Sequence, residues 1–344
     1  MPGRPRVPDP LRHHGDVEAR GGLLDFAVNV YDGPRPAWLD LALQASLDDA
    51  ARYPSATEAE RAVAARHGRD PAEALATAGA AEAFSLVARL RPWRRPAVVH
   101  PQFTEPHAAL RQAGHAVTEV VLAEPFRLDP AAIPDDADLV VIGNPTNPTG
   151  VLHPRATIRE LLREDRLVVI DEAFMDTVPG EPETLAGERH PGLLVIRSLT
   201  KHWGIPGVRA GYVLAEPDVV RDLRDGQVPW SVSSAAAAAM VACSTAEALT
   251  EAERRALEID AWRRDLEESL STMGVRHVPS RASFVLAEVG AGVHAALRDA
   301  GIAVRRADTF PGLGPAWVRI AVRPPARSRS LLDALSALRS DALG

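Results

Sequence analysis

The sequence predicts an α/β fold, with a mostly parallel sheet covered by helices in a large domain and a smaller C-terminal α+β domain behind it. Five short apolar runs carry the first part: Pro96 to His100, Val117 to Leu122, Leu139 to Ile142, Leu167 to Ile170 and Leu193 to Ile196, each separated from the next by a helical segment. Polar or proline-rich clusters follow the carboxyl ends of those runs, where open α/β sheets place their ligands. Beyond about residue 245 the pattern changes to a long charged helix and then short strands and helices. A chain of 344 residues exceeds one ordinary core, in keeping with two domains.

In chain order, residues 1–22 hold Pro, Arg, Gly and the cluster His13-His14-Gly15-Asp16, the composition of an arm. Residues 23–245 are assigned to the large domain and 246–344 to the small one. Leu24 to Tyr31 alternates as a short strand and ends at the breaker run Asp32-Gly33-Pro34-Arg35-Pro36. Helices are expected near 37–50 and 57–67, flanking Arg52-Tyr53-Pro54. The small residues at 78–81 precede a helix, so the N–H groups of Ala80 and Ala81 could approach an anion closely. After the alternating strands and helices, a helix near 251–273 links the domains. Strands near 283–289, 303–306 and 317–322 and helices near 293–300 and 328–339 complete the small domain.

Composition limits the function classes. With 46% hydrophobic and 25% charged residues the chain reads as globular, and its net charge of -7 argues against nucleic acid as the main partner. One cysteine, Cys243, leaves no disulfide framework, and no apolar run reaches membrane-spanning length. The expectation is a cytoplasmic protein acting on a small molecule.

The chemistry centres on one residue. Lysine and arginine together number 39, yet Lys201 is the single lysine. Arginine serves wherever a cation suffices, so Lys201 marks the position that needs an amine, because a guanidinium cannot act as an amine nucleophile. An aspartate, Asp171, ends another strand, and the aromatic Phe103 follows a third. Together they suit a planar, phosphorylated ring, and the cofactor with those needs is pyridoxal 5'-phosphate, whose aldehyde takes a lysine and whose ring nitrogen takes an acid. In this reading Phe103 stacks on the ring and Asn144 donates to its phenolic oxygen. Ser198, Thr200 and Arg209 hold the phosphate with the N–H groups of Ala80 and Ala81.

The motif Gly143-Asn144-Pro145-Thr146-Asn147-Pro148-Thr149-Gly150, the strand end Asp171-Glu172-Ala173 and the spacing Ser198-x-Thr200-Lys201-x(7)-Arg209 occur together. In these the chain resembles the fold-type I pyridoxal-phosphate enzymes of the class I/II aminotransferase superfamily over nearly its whole length. The resemblance implies that Arg319 takes a substrate carboxylate. It also implies that Tyr53 reaches the cofactor phosphate of a neighbouring subunit, hence a homodimer with shared sites. Asp171 to Asp176, Arg197 to Lys201 and Pro229 to Val232 resemble the branch joining histidinol-phosphate aminotransferases and the threonine-phosphate decarboxylases of cobalamin synthesis. With His14-Gly15 ahead of Asp25-Phe26, they are more similar to the decarboxylases. Many members carry tyrosine where this chain has Phe174, so one hydrogen bond to the phenolic oxygen is missing.

A phosphorylated substrate needs a second anion site, expected where the arm brings His13, His14 or Asn29 over the cavity. Two other readings compete. Gly290-Ala291-Gly292-Val293, with Asp308 downstream, partly fits a dinucleotide fingerprint of an NAD-dependent dehydrogenase but comes too late in the chain for paired nucleotide-binding halves. A non-enzymatic cofactor sensor would be expected to bring a DNA-binding segment, for which the arm is too short.

Overall fold

The five apolar runs become five neighbouring strands of a seven-stranded sheet, four inside it and Val117 to Leu122 at its edge, in a computed structural model that describes residues 9–341; residues 1–8 of the expected arm lie outside the described residues. Its strands are β2 (Ala74–Thr77), β3 (Pro96–His100), β4 (Thr118–Val121), β5 (Leu139–Gly143), β6 (Leu167–Asp171), β7 (Leu193–Ser198) and β8 (Gly211–Leu214), in the order β2-β8-β7-β6-β5-β3-β4. β4, β3, β5, β6 and β7 run parallel; β8 is antiparallel to both β7 and β2.

Every residue of β3, β5, β6 and β7 is buried, and alternate side chains feed different cores. Val99, Val140, Ile142, Val168 and Ile170 face one way, while Val98, Val141, Val169 and Ile196 face the other. A strand apolar at every position is stable only with helices on both faces, which is why these runs form parallel strands. On the first face lie α2 (Ala37–Ala45), α3 (Thr57–Arg66) and α8 (Ser234–Ala242); on the second lie α4 (Ala80–Leu90), α5 (Glu105–Gln112) and α7 (Pro217–Asp225). The short α6 (Arg155–Arg159) adds Ile158 to the first face, while the short α1 (Gly15–Glu18) lies outside both stacks.

A second sheet of five strands, ordered β1-β11-β12-β10-β9, comprises β1 (Leu24–Phe26), β9 (Arg276–Val278), β10 (Phe284–Glu288), β11 (Ile302–Arg306) and β12 (Trp317–Ala321). The strand at the start of the range assigned to the large domain therefore lies in the small one: β1 pairs with β11, and Phe26 enters the small core beside Val304 and Ile320. Pairing between residues almost three hundred positions apart leaves no local trace in the sequence. β2 and β8 are not among the expected strands either. Ala74-Leu75-Ala76-Thr77 has weak strand propensity and is extended because β8 pairs with it in full register. α9 (Ala246–Thr272) is longer than expected, beginning where Thr245 Oγ1 accepts from the Ala248 N–H at 3.2 Å. α10 (Val293–Asp299) and α11 (Pro325–Asp341) complete the small domain. No helix among the described residues is long and apolar enough to cross a membrane.

Candidate active site

A cavity of about 670 Å³ opens beyond the carboxyl ends of β3, β5, β6 and β7, walled by the arm on one side and by β11 and β12 on another. Lys201 and Asp171, each carried just past or at the end of its strand, both line it. Burial, then the nearby Arg319 and Arg209 cations, lower the Lys201 amine to about 8. Burial pushes the Asp171 carboxyl up to about 6, against the Ala173 N–H that donates to it at 3.1 Å and against Lys201. The site thus holds an amine that is easily neutralised and a buried carboxylate that favours a cation.

One wall suits a phosphate. Ala80 and Ala81 open α4, whose N-cap, Gly79, supplies no side-chain hydrogen bond to the helix start. Gly79 has φ +76°, and a Cβ there would lie 2.5 Å from Arg209 Nη2, so glycine alone lets the guanidinium sit against the helix. Ser198 Oγ and Thr200 Oγ1 lie 2.8 Å apart beside it and also line the cavity. Phe103 forms a further wall, tilted against Phe84 at 6.1 Å and against the His14 ring at 5.6 Å.

A pair of arginines forms the opposite wall. Arg305 and Arg319 are directly opposite each other on β11 and β12, so both side chains leave the same face of the small sheet. Arg319 donates to Ala27 O and to Asn147 Oδ1, the latter at 2.6 Å, and gains no counter-charge from either. With the Asn29 amide oxygen turned toward it, Arg319 also donates from Nε at 3.1 Å and Nη1 at 3.0 Å. Arg305 donates to His13 O at 2.6 Å, to Thr309 Oγ1 at 2.7 Å and to its neighbour's carbonyl. Burial lowers Arg305 to about 10 and takes Arg319 well below the usual arginine range. Two buried cations held by neutral oxygens are costly unless an anion joins them.

The structure brings Lys201, Asp171, Phe103, Ala80, Ala81, Ser198, Thr200, Arg209, Arg319, Asn29 and His14 to this one cavity. Asn144 is a correction. Its side chain is spent on the backbone of His153, donating to the carbonyl at 3.1 Å and accepting from the N–H at 2.8 Å, and it closes the loop after β5. Asn147 lines the cavity instead, its Oδ1 held by Arg319. Only Pro145 and Thr146 separate the two asparagines, and the path of the loop decides which turns inward. Tyr53 is also absent from the wall of this chain's cavity: it is 78% exposed and stacks on Trp230, with ring centroids 4.3 Å apart. His14 lines the cavity with its Nε2 2.7 Å from Glu105 Oε1.

Arg305 escapes sequence reading, since nothing local separates it from the other arginines. Glu172 gains an explanation as well. It is buried and accepts from Arg197 at 2.9 Å, from Thr184 Oγ1 at 2.6 Å and from the Leu185 N–H at 2.7 Å, which anchors the strand end that bears Asp171. Phe174 meets Phe284 edge to face at 4.9 Å, so the position often held by tyrosine is closed by aromatic packing. The partial dinucleotide fingerprint finds no support, since Asp308 is spent on Arg306 at 2.6 Å.

Pyridoxal phosphate fits these residues: a glycine-opened helix start with Arg209 for the phosphate, an aromatic wall, a buried acid and a lowered amine. Comparison with known proteins agrees. The family model for aminotransferase class I and II matches residues 22–335. A histidinol-phosphate aminotransferase of Mycobacterium tuberculosis is 47% identical over 318 residues, covering 91% of this chain and 87% of the relative. A threonine-phosphate decarboxylase of Salmonella typhimurium is 32% identical over 342 residues, covering 91% and 90%. Among solved structures, the histidinol-phosphate aminotransferase from Clostridium acetobutylicum superposes with a TM-score of 0.86 at 24% identity, over 93% of this chain and all of that one. The L-threonine-O-3-phosphate decarboxylase from Porphyromonas gingivalis gives 0.79 at 25% identity, over 92% and 99%. The chain belongs to the class I and II aminotransferase family and is a pyridoxal-phosphate-dependent enzyme.

Proposed function

We propose that this enzyme acts on a small amino-acid phosphate, with threonine phosphate as the substrate to test first and decarboxylation as the reaction. One observation carries the reading: Arg305 and Arg319 stand side by side, buried and hydrogen-bonded to neutral oxygens, with the carboxylates of Glu18, Asp16 and Asp308 near Arg305 and of Asp25 near Arg319 acting only through space, at the wall facing Lys201. A substrate with a carboxylate and a phosphate supplies one anion to each. Arg319, cradled by Ala27, Asn29 and Asn147, takes the carboxylate; Arg305, with His14 and the arm, takes the phosphate. When bound, pyridoxal phosphate supplies the electron sink that stabilises negative charge at the substrate α-carbon. Lys201 holds the cofactor in the resting enzyme and carries a proton to or from that carbon. Asp171 keeps the ring nitrogen protonated, and Phe103 and Asn147 orient the ring.

The second reading is transamination of histidinol phosphate, favoured by the 47% identity to relatives of that name. Histidinol phosphate lacks a carboxylate, so in that reaction Arg319 would serve the dicarboxylate co-substrate. Incubation with threonine phosphate is expected to release carbon dioxide, whereas glutamate formed from histidinol phosphate and 2-oxoglutarate would establish the second reading in its place. Arg305→Ala is expected to raise KM for the phosphorylated substrate roughly 10- to 100-fold, the loss of a charge-assisted hydrogen bond, with a smaller change in kcat. Removing residues 1–22 should act in the same direction, because the His13 carbonyl holds Arg305. An unchanged KM in both variants would refute the phosphate assignment.

The Tyr53 and Trp230 stack, with Val228 also exposed at 67%, is an aromatic patch of the kind a second copy covers. We assign it to a homodimer in which Tyr53 reaches the neighbouring cofactor phosphate. Sedimentation at micromolar concentration should return a dimer, and Tyr53→Ala should weaken cofactor retention; a monomer that retains cofactor and activity would overturn this. The single cysteine, Cys243, is buried and free, which suits a reducing, cytoplasmic setting.

A further inference from the structure

The segment between β1 and α2 connects the two ends of the substrate site. Ala27 and Asn29 hold Arg319, and two residues later the Tyr31 N–H donates to the carbonyl oxygen of Lys201 at 2.9 Å. On the other side of Lys201, the backbone continues into His202, a buried residue. Both segments of this junction are gripped by one side chain from the linking helix. Arg255 of α9 is fully buried and uses its planar fork three ways: Nη1 donates to His202 O at 3.0 Å, Nη2 to Pro34 O at 2.8 Å and Nε to Glu251 Oε1 at 2.8 Å. Its guanidinium lies between two rings, 4.3 Å from the centroid of Tyr31 and 5.0 Å from that of Trp203. Tyr31 is itself clamped from the far side by Trp262, stacked at 5.9 Å with 8° between planes, and by a hydroxyl bond to Glu258.

We propose that Arg255 is a positioning residue for the reaction: it locks the 31–34 segment to the backbone after Lys201 and thereby sets Lys201 relative to the carboxylate-binding Arg319. Only a guanidinium meets the site. Two carbonyls, a carboxylate and two aromatic faces converge on one plane, and an ammonium could satisfy the charge or one carbonyl but not the fork.

The inference rests on the reading that Lys201 binds the cofactor, and the test separates the two. Wild-type enzyme loaded with pyridoxal phosphate is reduced with borohydride and the labelled peptide identified; absence of label on Lys201 overturns the underlying reading and the inference with it. Given that label, Arg255→Met and Arg255→Lys are loaded in the same way and the visible absorbance is titrated against pH. Arg255→Met is expected to move the midpoint by roughly half a pH unit or more and to lower kcat at least about 10-fold, and Arg255→Lys is expected to restore melting temperature more fully than kcat. If Arg255→Met does not fold, the lysine variant decides, through the same midpoint and kcat. Loaded variants that melt at lower temperature with unchanged midpoint and unchanged kcat/KM would show a purely structural arginine and refute the proposal.

Discussion

Lys201→Arg is expected to abolish turnover, a fall in kcat of about four orders of magnitude or more, while the chain still folds and keeps its charge. Loss of a positioned general base alone costs about 10²- to 10⁴-fold, and this variant also loses the group that holds the cofactor. The reason lies in protonation. Burial and two neighbouring arginines lower the Lys201 amine to about 8, so a substantial neutral fraction exists near neutral pH. A guanidinium stays charged throughout that range. The sign gives a second readout in the wild type: the neutral amine grows as pH rises through about 8, so cofactor uptake by the apoprotein should accelerate with that midpoint. An ordinary exposed lysine would show a midpoint nearer its usual value of about 10.4. Stopped-flow absorbance on the apoprotein measures the midpoint, and retained turnover in Lys201→Arg would remove Lys201 from the chemistry.

Asp171→Asn should have opposite effects on activity and on stability. In the loaded enzyme the amide cannot keep the ring nitrogen protonated, and kcat should fall by about 10³-fold, the scale seen when one preorganised electrostatic group is lost. In the apoprotein the same change removes a buried charge. The Asp171 carboxyl is raised from 3.8 to about 6, so the fold disfavours its ionised form. Its folded-state value lies above the unfolded one, so this group's contribution to stability falls as pH rises from about 4 to 6 and stays low above that. At pH 7 the burden is about 3 kcal/mol, and the substituted asparagine would lift it because its side-chain oxygen can still accept from the Ala173 N–H. Apo Asp171→Asn is therefore expected to melt higher than wild-type apoprotein at about pH 7 and at nearly the same temperature at about pH 4. A lower melting temperature near neutral pH would mean that the carboxylate is compensated in the cavity without cofactor.

These two variants act on residues that the sequence makes conspicuous. Lys201 stands out as the single lysine, and Asp171 as an acid ending an otherwise apolar run. The phosphate cradle is legible for a related reason: small residues at 78–81 ahead of a helix, and Ser198, Thr200 and Arg209 at close spacing, are local features. Glu172 illustrates the limit. Adjacent to Asp171 and equally acidic, it turns to the opposite side of the strand and is consumed by Arg197, Thr184 and Leu185, which strand alternation permits but does not identify.

The sequence by itself determined what depends on period and neighbour. Continuous apolar runs required a sheet covered on both faces, the polar clusters at their carboxyl ends required a site at that rim, and one amine among arginines required an amine chemistry. Tertiary structure alone decided what depends on competition between distant partners. β1 joined the small sheet because β11 offered an edge; Asn144 was taken by the His153 backbone, which left the cavity to Asn147. Arg305 became a candidate functional residue only because β11 and β12 pair in the register that sets it opposite Arg319. Each of these outcomes is set by hydrogen bonding between segments that local composition does not link, and register has no signature in local composition.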